Sequence, residues 1–387
     1  MDFVTLRLPS RSLAVSLSRS LFYEFGRKIR DFCVILTPTM RILLLPISFL
    51  YHIVLAIRHK LYDWHILKTT QFEKPVICVG NLNLGGTGKT PHTEYLIRLL
   101  KNDYRVATLS RGYGRKTNGF KMAETASTYE DLGDEPLQYF KKYLEILVAV
   151  DEDRVDGVTH LFGEQGIEVV LLDDAFQHRS IRAGLNILLT EYQHLYTEDH
   201  LFPAGTLRDV KSAAKRADII VVSKSPKEWG DEDKKLVIKK LKPDKGQKVY
   251  FSYMEYDPLL PLNETAKTVV TESADSVMAF CGIANPKPFV EALGKRYNVI
   301  DSLCFADHHA YTDNDIKEIL KHFEGLGGTK KIIVTTEKDA ARLTNSPYLC
   351  QFDNVPLYDL PVNVRFHEEE KFNEEILNYV RKNAYHG

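Results

Sequence analysis

Much of what would mark a secreted, fibrous or nucleic-acid-binding chain is missing from this 387-residue sequence. It holds five cysteines (Cys33, Cys78, Cys281, Cys304 and Cys350), and no two stand at C-x-x-C or other metal-ligand spacing. That excludes a disulfide framework and reads as isolated thiols in a reducing compartment. Neither charge sign is in excess: 51 Lys and Arg face 52 Asp and Glu, so bulk attraction to a polyanion is excluded and no nucleic-acid partner is expected. No internal repeat or low-complexity tract is visible. Nor is there an apolar run of the ~20 residues that a spanning helix needs. Pro38, Arg41, Pro46 and His52 interrupt residues 34–57, whose longest uncharged piece is the 16 residues 42–57. What remains, 44% hydrophobic and 27% charged residues, is ordinary for a globular chain of one large or two modest domains.

What is present is uneven. Residues 1–68 carry ten Lys and Arg against four Asp and Glu, so a basic, apolar N-terminus stands before a mildly acidic body. Arg27, Lys28, Arg30 and Arg41 precede the interrupted apolar stretch, and Arg58 and Lys60 follow it. Cations on both flanks of a short apolar helix suit a helix lying in a membrane interface over residues 40–68, near anionic head groups. A core helix of the first domain is the alternative. Residues 1–39 are polar, Ser/Arg-rich and weakly patterned, and are expected to form a poorly ordered extension.

The strongest signal is PVICVGNLNLGGTGKTPHTEYLIRLL. Residues 76–79 form a short β-branched run suited to a buried parallel strand, and residues 90–100 have helical apolar spacing. Strand, Gly-rich loop and helix together make a phosphate loop, in which backbone N–H groups and a helix N-terminus hold phosphates. Its residues are Asn83, Leu84, Gly85, Gly86, Thr87, Gly88, Lys89 and Thr90. Lys89 is expected to reach the β- and γ-phosphates of ATP and Thr90 to ligate Mg²⁺. The strict pattern has Gly where this chain has Asn83, a residue that also tolerates left-handed backbone angles. A second carboxylate source follows in EVVLLDD, an apolar strand ending in Asp173 and Asp174, either of which can hold Mg²⁺.

Further loops are dense in Gly, Arg, Asp and His: LSRGYGRK from Leu109, GDEP from Gly133, and FQHR from Phe176. Singly, Asp134 reads as a helix cap and Arg111 and Arg115 as solvated loop charges. Together the motifs GNLNLGGTGKTP, LSRGYGRK, GDEP, LLDDAFQHR, LFPAGTLRD, VVSK, CGIANP, DHHAYT and TTEKDAARL, in that order from Met40 to the C-terminus, resemble the tetraacyldisaccharide 4'-kinase family of lipid A biosynthesis.

The resemblance implies ATP-dependent phosphorylation of the 4'-hydroxyl of a tetraacylated glucosamine disaccharide 1-phosphate at the cytoplasmic face of a bacterial inner membrane. It implies a peripheral or monotopic attachment and no obligate protein partner. A sugar hydroxyl is a poor nucleophile and needs a carboxylate to orient it and accept its proton. By resemblance that carboxylate is Asp134, paired with His308 of Asp307-His308-His309. Glu135 is implied to support Thr90 and the Mg²⁺ shell. Arg208 is a candidate to neutralise charge on the transferring phosphoryl group. The family usually has Glu after that Arg, and Asp209 departs from this pattern, so the resemblance carries no metal-shell role to it. Arg111, Arg115 and Arg179 are left between ATP and the lipid phosphate. Lys224 is a candidate for the purine side, and Asp339 reads as an acidic helix start.

Strands expected at 76–79, 106–109, 146–150, 169–173, 186–190 and 219–223, alternating with helical patterns, predict an α/β fold. The expected sheet is mainly parallel, of P-loop NTPase type, with helices on both faces and ligands at the strands' carboxyl ends. The expected organisation is a kinase core over 69–250, a linker over 251–275 and a smaller α/β unit over 276–387, with Asp134 and His308 on either side of the cleft. Two other readings stay open: a soluble P-loop ATPase or small-molecule kinase, and a nucleotide switch that recruits a partner.

Overall fold

The computed structural model describes residues 41–384, apart from 164–165, 270, 272–273 and 345, so the expected extension lies outside the described residues. The first unit is built on a nine-stranded sheet. Its principal strands are β1 (Val76–Asn81), β2 (Val106–Ser110), β3 (Leu147–Val150), β4 (Val169–Asp173), β5 (Leu185–Glu191), β6 (Ile219–Ser223), β7 (Lys248–Tyr256) and β12 (Val362–Phe366). They lie in the order β12-β7-β6-β5-β1-β4-β2-β3, with Lys121–Met122 on the outer edge. All pairings are parallel except at the two edges, where β12 and Lys121–Met122 run antiparallel. Every residue of β1, β2, β4 and β6 is buried. Their near-continuous Val, Ile and Leu are what a sheet covered on both faces requires. One face packs on helix α4 (Arg154–Gly163) through Val158 and Leu161, the other on α2 (Lys89–Leu100) through Leu96, Ile97 and Leu100.

The second unit is a five-stranded sheet. Leu260–Pro261, β11 (Leu357–Leu360), β10 (Lys331–Thr336), β8 (Ser276–Cys281) and β9 (Val299–Cys304) lie in that order. Helices α6 (Lys287–Gly294), α7 (Asp313–Gly325) and α8 (Glu337–Thr344) accompany it, and α5 (Asp231–Leu241) is the exposed, charged helix of the first unit.

Two expected boundaries are corrected. Residues 251–256 are not linker but the second half of β7, which pairs in parallel with β6 from Lys248↔Ile219 to Phe251↔Val222. Phe251, Tyr253 and Tyr256 in this stretch fit a pleated, half-buried surface, which the lack of helical patterning had concealed. Nor does the second unit extend to the C-terminus. After Pro361 the chain returns as β12, antiparallel to β7 from Tyr256↔Val362 to Ser252↔Phe366. Helix α9 (Glu369–Ala384) then packs Phe372, Ile376 and Val380 into the cluster that holds Leu96 and Leu100. The second unit is therefore an insertion between two adjacent strands of the first.

Helix α1 (Leu45–Asp63) turns its polar side inward. Ser48 donates to Leu201 O at 2.9 Å, Tyr51 to Arg208 O at 3.1 Å, Arg58 to Gln177 O at 3.0 Å, and His59 Nε2 meets Asp209 Oδ1 at 2.6 Å. Outward it shows Phe49, Leu50, Val54 and Ile57, each more than half exposed. This is the reverse of a core helix. Among the described residues no helix is long and apolar enough to cross a membrane.

His92 joins α2 to β7. Its Nδ1–H donates to Gly88 O at 2.7 Å and its Nε2 lies 2.9 Å from the Ser252 hydroxyl, so the ring is held neutral. Burial pushes its pKa down from 6.5 to about 4, against a smaller upward pull from the Gly88 carbonyl. The unfolded chain protonates this ring near 6.5 and the folded one does not. Stability is full above that pH and falls, by about 3 kcal/mol for this group, as pH drops toward 4. Chemical denaturation at pH 7 and pH 4 is expected to show a smaller acid loss for His92→Gln than for the parent chain. Equal losses would remove His92 as the cause.

Candidate active site

The phosphate loop joins β1 to α2, and its tip is open: Gly85 and Gly86 are exposed, and a Cβ at either would meet nothing within 4 Å. The left-handed turns fall at Gly85 (φ 118°) and Gly88 (φ 88°), and Asn83 is not among the positive-φ residues. Asn83 therefore does not act through backbone freedom. Its side chain donates to Asp199 Oδ2 at 3.1 Å and to Thr206 Oγ1 at 3.2 Å, while the Leu84 N–H donates to Thr206 O at 2.7 Å, so the segment before Arg208 braces the loop from outside. From inside, Asn81 Nδ2 donates to Thr87 Oγ1 at 2.8 Å, Ser223 Oγ donates to Thr87 O at 2.8 Å, and Lys89 Nζ lies 3.5 Å from Asn81 Oδ1. Asn81 also accepts from Gln177 Nε2 at 2.7 Å and from Arg208. It is the centre of the loop's bonding, and its place on the strand rather than in the Gly-rich run kept it out of the sequence reading.

Asp173 and Asp174, adjacent in sequence, have pKa values shifted in opposite directions. Asp174 sits at φ 52°, a sparsely populated conformation for a non-glycine residue. It accepts from Arg208 with both oxygens, one at 2.9 Å, and lies 3.9 Å from Lys89 Nζ. Burial acts to raise its pKa, but Lys89 and Arg208 outweigh it and hold the carboxyl below the usual carboxylate range. Burial pushes Asp173 up to about 6, with the charges of Asp174 and Glu135 adding to the shift. One of its oxygens accepts from Tyr139 at 2.9 Å and the other, Oδ1, is buried with no partner. Burial also lowers the Lys89 pKa, against the pull of Asp174.

An orphaned carboxylate oxygen beside a phosphate loop fits a divalent cation. Among the described residues no three His, Cys, Asp or Glu side chains form a ready-made cage. That is the situation of Mg²⁺, which takes one or two protein oxygens and completes its shell with phosphate and water. Asp173 and Thr90 are the donors that fit; Asp174 and Glu135 are engaged by cations of the protein itself.

In the same unit, Asp134 is the first residue of helix α3 (Asp134–Lys142) and 8% exposed. The turn before it depends on Gly133 at φ 89°, where a Cβ would lie 2.6 Å from Tyr113 O. His308 Nδ1 lies 2.7 Å from Asp134 Oδ2, with φ of 57° at His308, and its ring faces Tyr113 at 5.1 Å. The adjacent His309 turns to Asp315 at 3.0 Å, so of the two histidines only His308 meets Asp134. Burial acts to raise the Asp134 pKa, and hydrogen bonds from His308 and Arg342 reverse this and take it below the ordinary range.

Other candidates are placed elsewhere. Glu135 Oε1 pairs with Lys338 Nζ at 2.8 Å, an interdomain contact, and its charge also acts on Lys89 and Asp173. Asp209 is buried with His59 and with Arg216 at 3.2 Å, which makes it the anchor of α1 and not part of a metal shell. Arg179 bonds Asp63 at 2.8 Å, and Arg115 pairs with Glu152; both hold protein rather than an open phosphate position. Lys224 pairs with Glu191 at 3.2 Å. Arg111 remains exposed. Asp339, read as a helix-start charge, is completely buried and pairs with Arg342 at 2.7 Å.

Residues 40–381 match the family described as tetraacyldisaccharide-1-P 4'-kinase. The chain belongs to this family. It is 43% identical over 355 residues to the tetraacyldisaccharide 4'-kinase of Bacteroides thetaiotaomicron, covering 88% of this chain and 93% of that one. Its identity to the enzyme of the same name from Flavobacterium johnsoniae is 43% over 346 residues, covering 89% and 98%. Among solved structures, LpxK from Aquifex aeolicus in complex with ATP superposes with a TM-score of 0.68 at 30% identity, covering 88% of this chain and 99% of that one.

Replacing Gly133 with Ala forces a side chain into a positive-φ position and against the Tyr113 carbonyl. Urea unfolding is expected to show a loss of about 1–3 kcal/mol. An unchanged midpoint would mean that the turn before Asp134 relaxes freely.

Proposed function

We propose that this chain transfers the γ-phosphoryl group of ATP to the 4'-hydroxyl of a tetraacylated glucosamine disaccharide 1-phosphate, giving the lipid A precursor that carries both phosphates. The observation that carries this reading, in a chain of this family, is a phosphate loop together with a separate buried carboxylate, Asp134, whose two bonds both fall on one oxygen. The N–H groups of residues 84–88 and the start of α2 hold the phosphates. Lys89 and Arg208, now neutralised by Asp174, exchange that partner for phosphate oxygens and stabilise the charge spreading over the transferring group. Thr90 and Asp173 are the residues that would hold Mg²⁺, which supplies further neutralisation of that charge when bound.

Asp134 orients the acceptor and takes its proton on Oδ1 as the new oxygen–phosphorus bond forms and the bond to the ADP oxygen breaks. A low proton affinity suits the task, because phosphoryl transfer passes through a loose transition state in which positioning outweighs deprotonation. His308 holds Asp134 in place. Arg111 remains available for a substrate phosphate.

The outward face of α1 (Phe49, Leu50, Val54 and Ile57), with Arg41 and Lys60 near its ends, is a surface for the membrane interface that carries the lipid. Lipid substrate and enzyme then share one surface, on the leaflet where ATP is available.

The first test is transfer of label from γ-labelled ATP to tetraacyldisaccharide 1-phosphate in detergent micelles with Mg²⁺. Label in the lipid is expected with the parent chain and absent with Lys89→Ala. Asp134→Asn is expected to keep the KM for ATP within a few-fold while kcat falls by about 10²–10⁴. Label released only as inorganic phosphate would instead support an ATPase. For the membrane surface, cosedimentation with anionic vesicles is expected for the parent chain and lost on changing Phe49, Leu50 and Val54 together to Ser. Retained binding would place the contact elsewhere.

A further inference from the structure

Asp134 has a second partner that no reading of the motifs supplied. Arg342, 6% exposed on α8, donates from Nη2 to Asp134 Oδ2 at 2.7 Å. This is the same oxygen that faces His308 Nδ1 at 2.7 Å, and the two donors lie 3.4 Å apart. Among the described residues no hydrogen bond reaches Oδ1. The carboxylate is thus gripped twice on one oxygen and left with the other for an acceptor hydroxyl.

Arg342 is itself fixed from behind. Its Nη1 donates to Asp339 Oδ1 at 2.7 Å and to Gly282 O at 2.9 Å. Asp339, completely buried, also accepts from the Gly282 N–H at 3.0 Å and from the Thr336 hydroxyl at 2.6 Å. A guanidinium suits this place because it is planar, permanently charged and able to bond two carboxylates in fixed directions at once. A lysine ammonium reaches one of them without that geometry. All of these supports belong to the second unit, whereas Asp134 opens a helix of the first.

We infer that Arg342 is a positioning residue for phosphoryl transfer: anchored by Asp339, it works with His308 to fix Asp134 Oδ2 across the cleft so that Oδ1 meets the acceptor hydroxyl. The inference rests on the kinase reading given above. Arg342 touches neither nucleotide nor acceptor and acts through Asp134. Its contribution exists only while the two units are together, so the supported carboxylate is assembled by closure.

The test compares steady-state lipid phosphorylation by the parent chain, R342A, R342K, H308A and H308A/R342A, with ATP and lipid varied separately. R342A is expected to lower kcat about a hundredfold with the KM for ATP unchanged, and R342K to recover part of that loss. The double variant is expected to lose less than the product of the two single losses, because both residues serve one oxygen. Should R342A fail to purify folded, R342Q, which keeps part of the side-chain stem and an uncharged donor on a shorter reach, carries the same comparison. A variant with parental kcat, losses that multiply, or a rise in the KM for ATP at unchanged kcat would each overturn the role of Arg342. A parent chain that transfers no phosphate to the lipid would overturn the kinase reading and this role with it.

Discussion

The buried charge of Asp134 is the constraint on which the site depends. A carboxylate at 8% exposure is heavily penalised unless its oxygens are bonded, and an unpaired one would protonate or disrupt the packing around it. Its partners, His308 and Arg342, both come from the other unit. The contact is extended in the same chemistry by Glu135 with Lys338 and by Lys142 with Glu337. An interface made of ion pairs behaves differently from an apolar one. These pairs are largely buried, so the attraction within each is set against the cost of taking both charges out of water, and their net worth is modest. Closing them restores direction rather than large stability. Such an interface specifies one geometry for Asp134 rather than supplying a large binding energy.

Much of this was legible in the chain. The inner strands of the first unit show as short apolar runs rich in Val, Ile and Leu, because sheets covered on both faces need continuous apolar sequence. The phosphate loop was legible because glycines at 85 and 88 meet a backbone demand that other residues meet only with strain. The return of the chain after Pro361 was not. Nothing local in VNVRF distinguishes an edge strand of the first sheet from a further strand of the second, since pairing is decided by contacts about a hundred residues away in sequence. Arg342 was hidden for the same reason. It lies three positions after Asp339 on one helix face, which suggests a local ion pair, and only the approach of α3 turns it toward Asp134. Asp209 stands where the family usually has Glu, and the fold points it back to His59.

Helix α1 shows how a surface helix can be read by what it hides. Ser48, Tyr51, Arg58 and His59 recur at helical spacing on the side that meets the first unit, so the inward face is held by directional bonds in addition to the burial of Leu55. Those bonds end on residues beside the site: Tyr51 on the carbonyl of Arg208, His59 on Asp209, Arg58 on the carbonyl of Gln177, whose side chain bonds Asn81. A helix held by apolar contact alone could slide or roll on its bed, but one pinned by hydrogen bonds of 2.6–3.1 Å at several turns cannot do so without breaking them. If its outward face rests in a membrane interface, as proposed, the depth of that face sets the height of Arg208, Asp174 and the phosphate loop above the lipid. The acceptor hydroxyl is then presented at a distance fixed by the fold, and closure of the second unit has only to bring Asp134's supports to it.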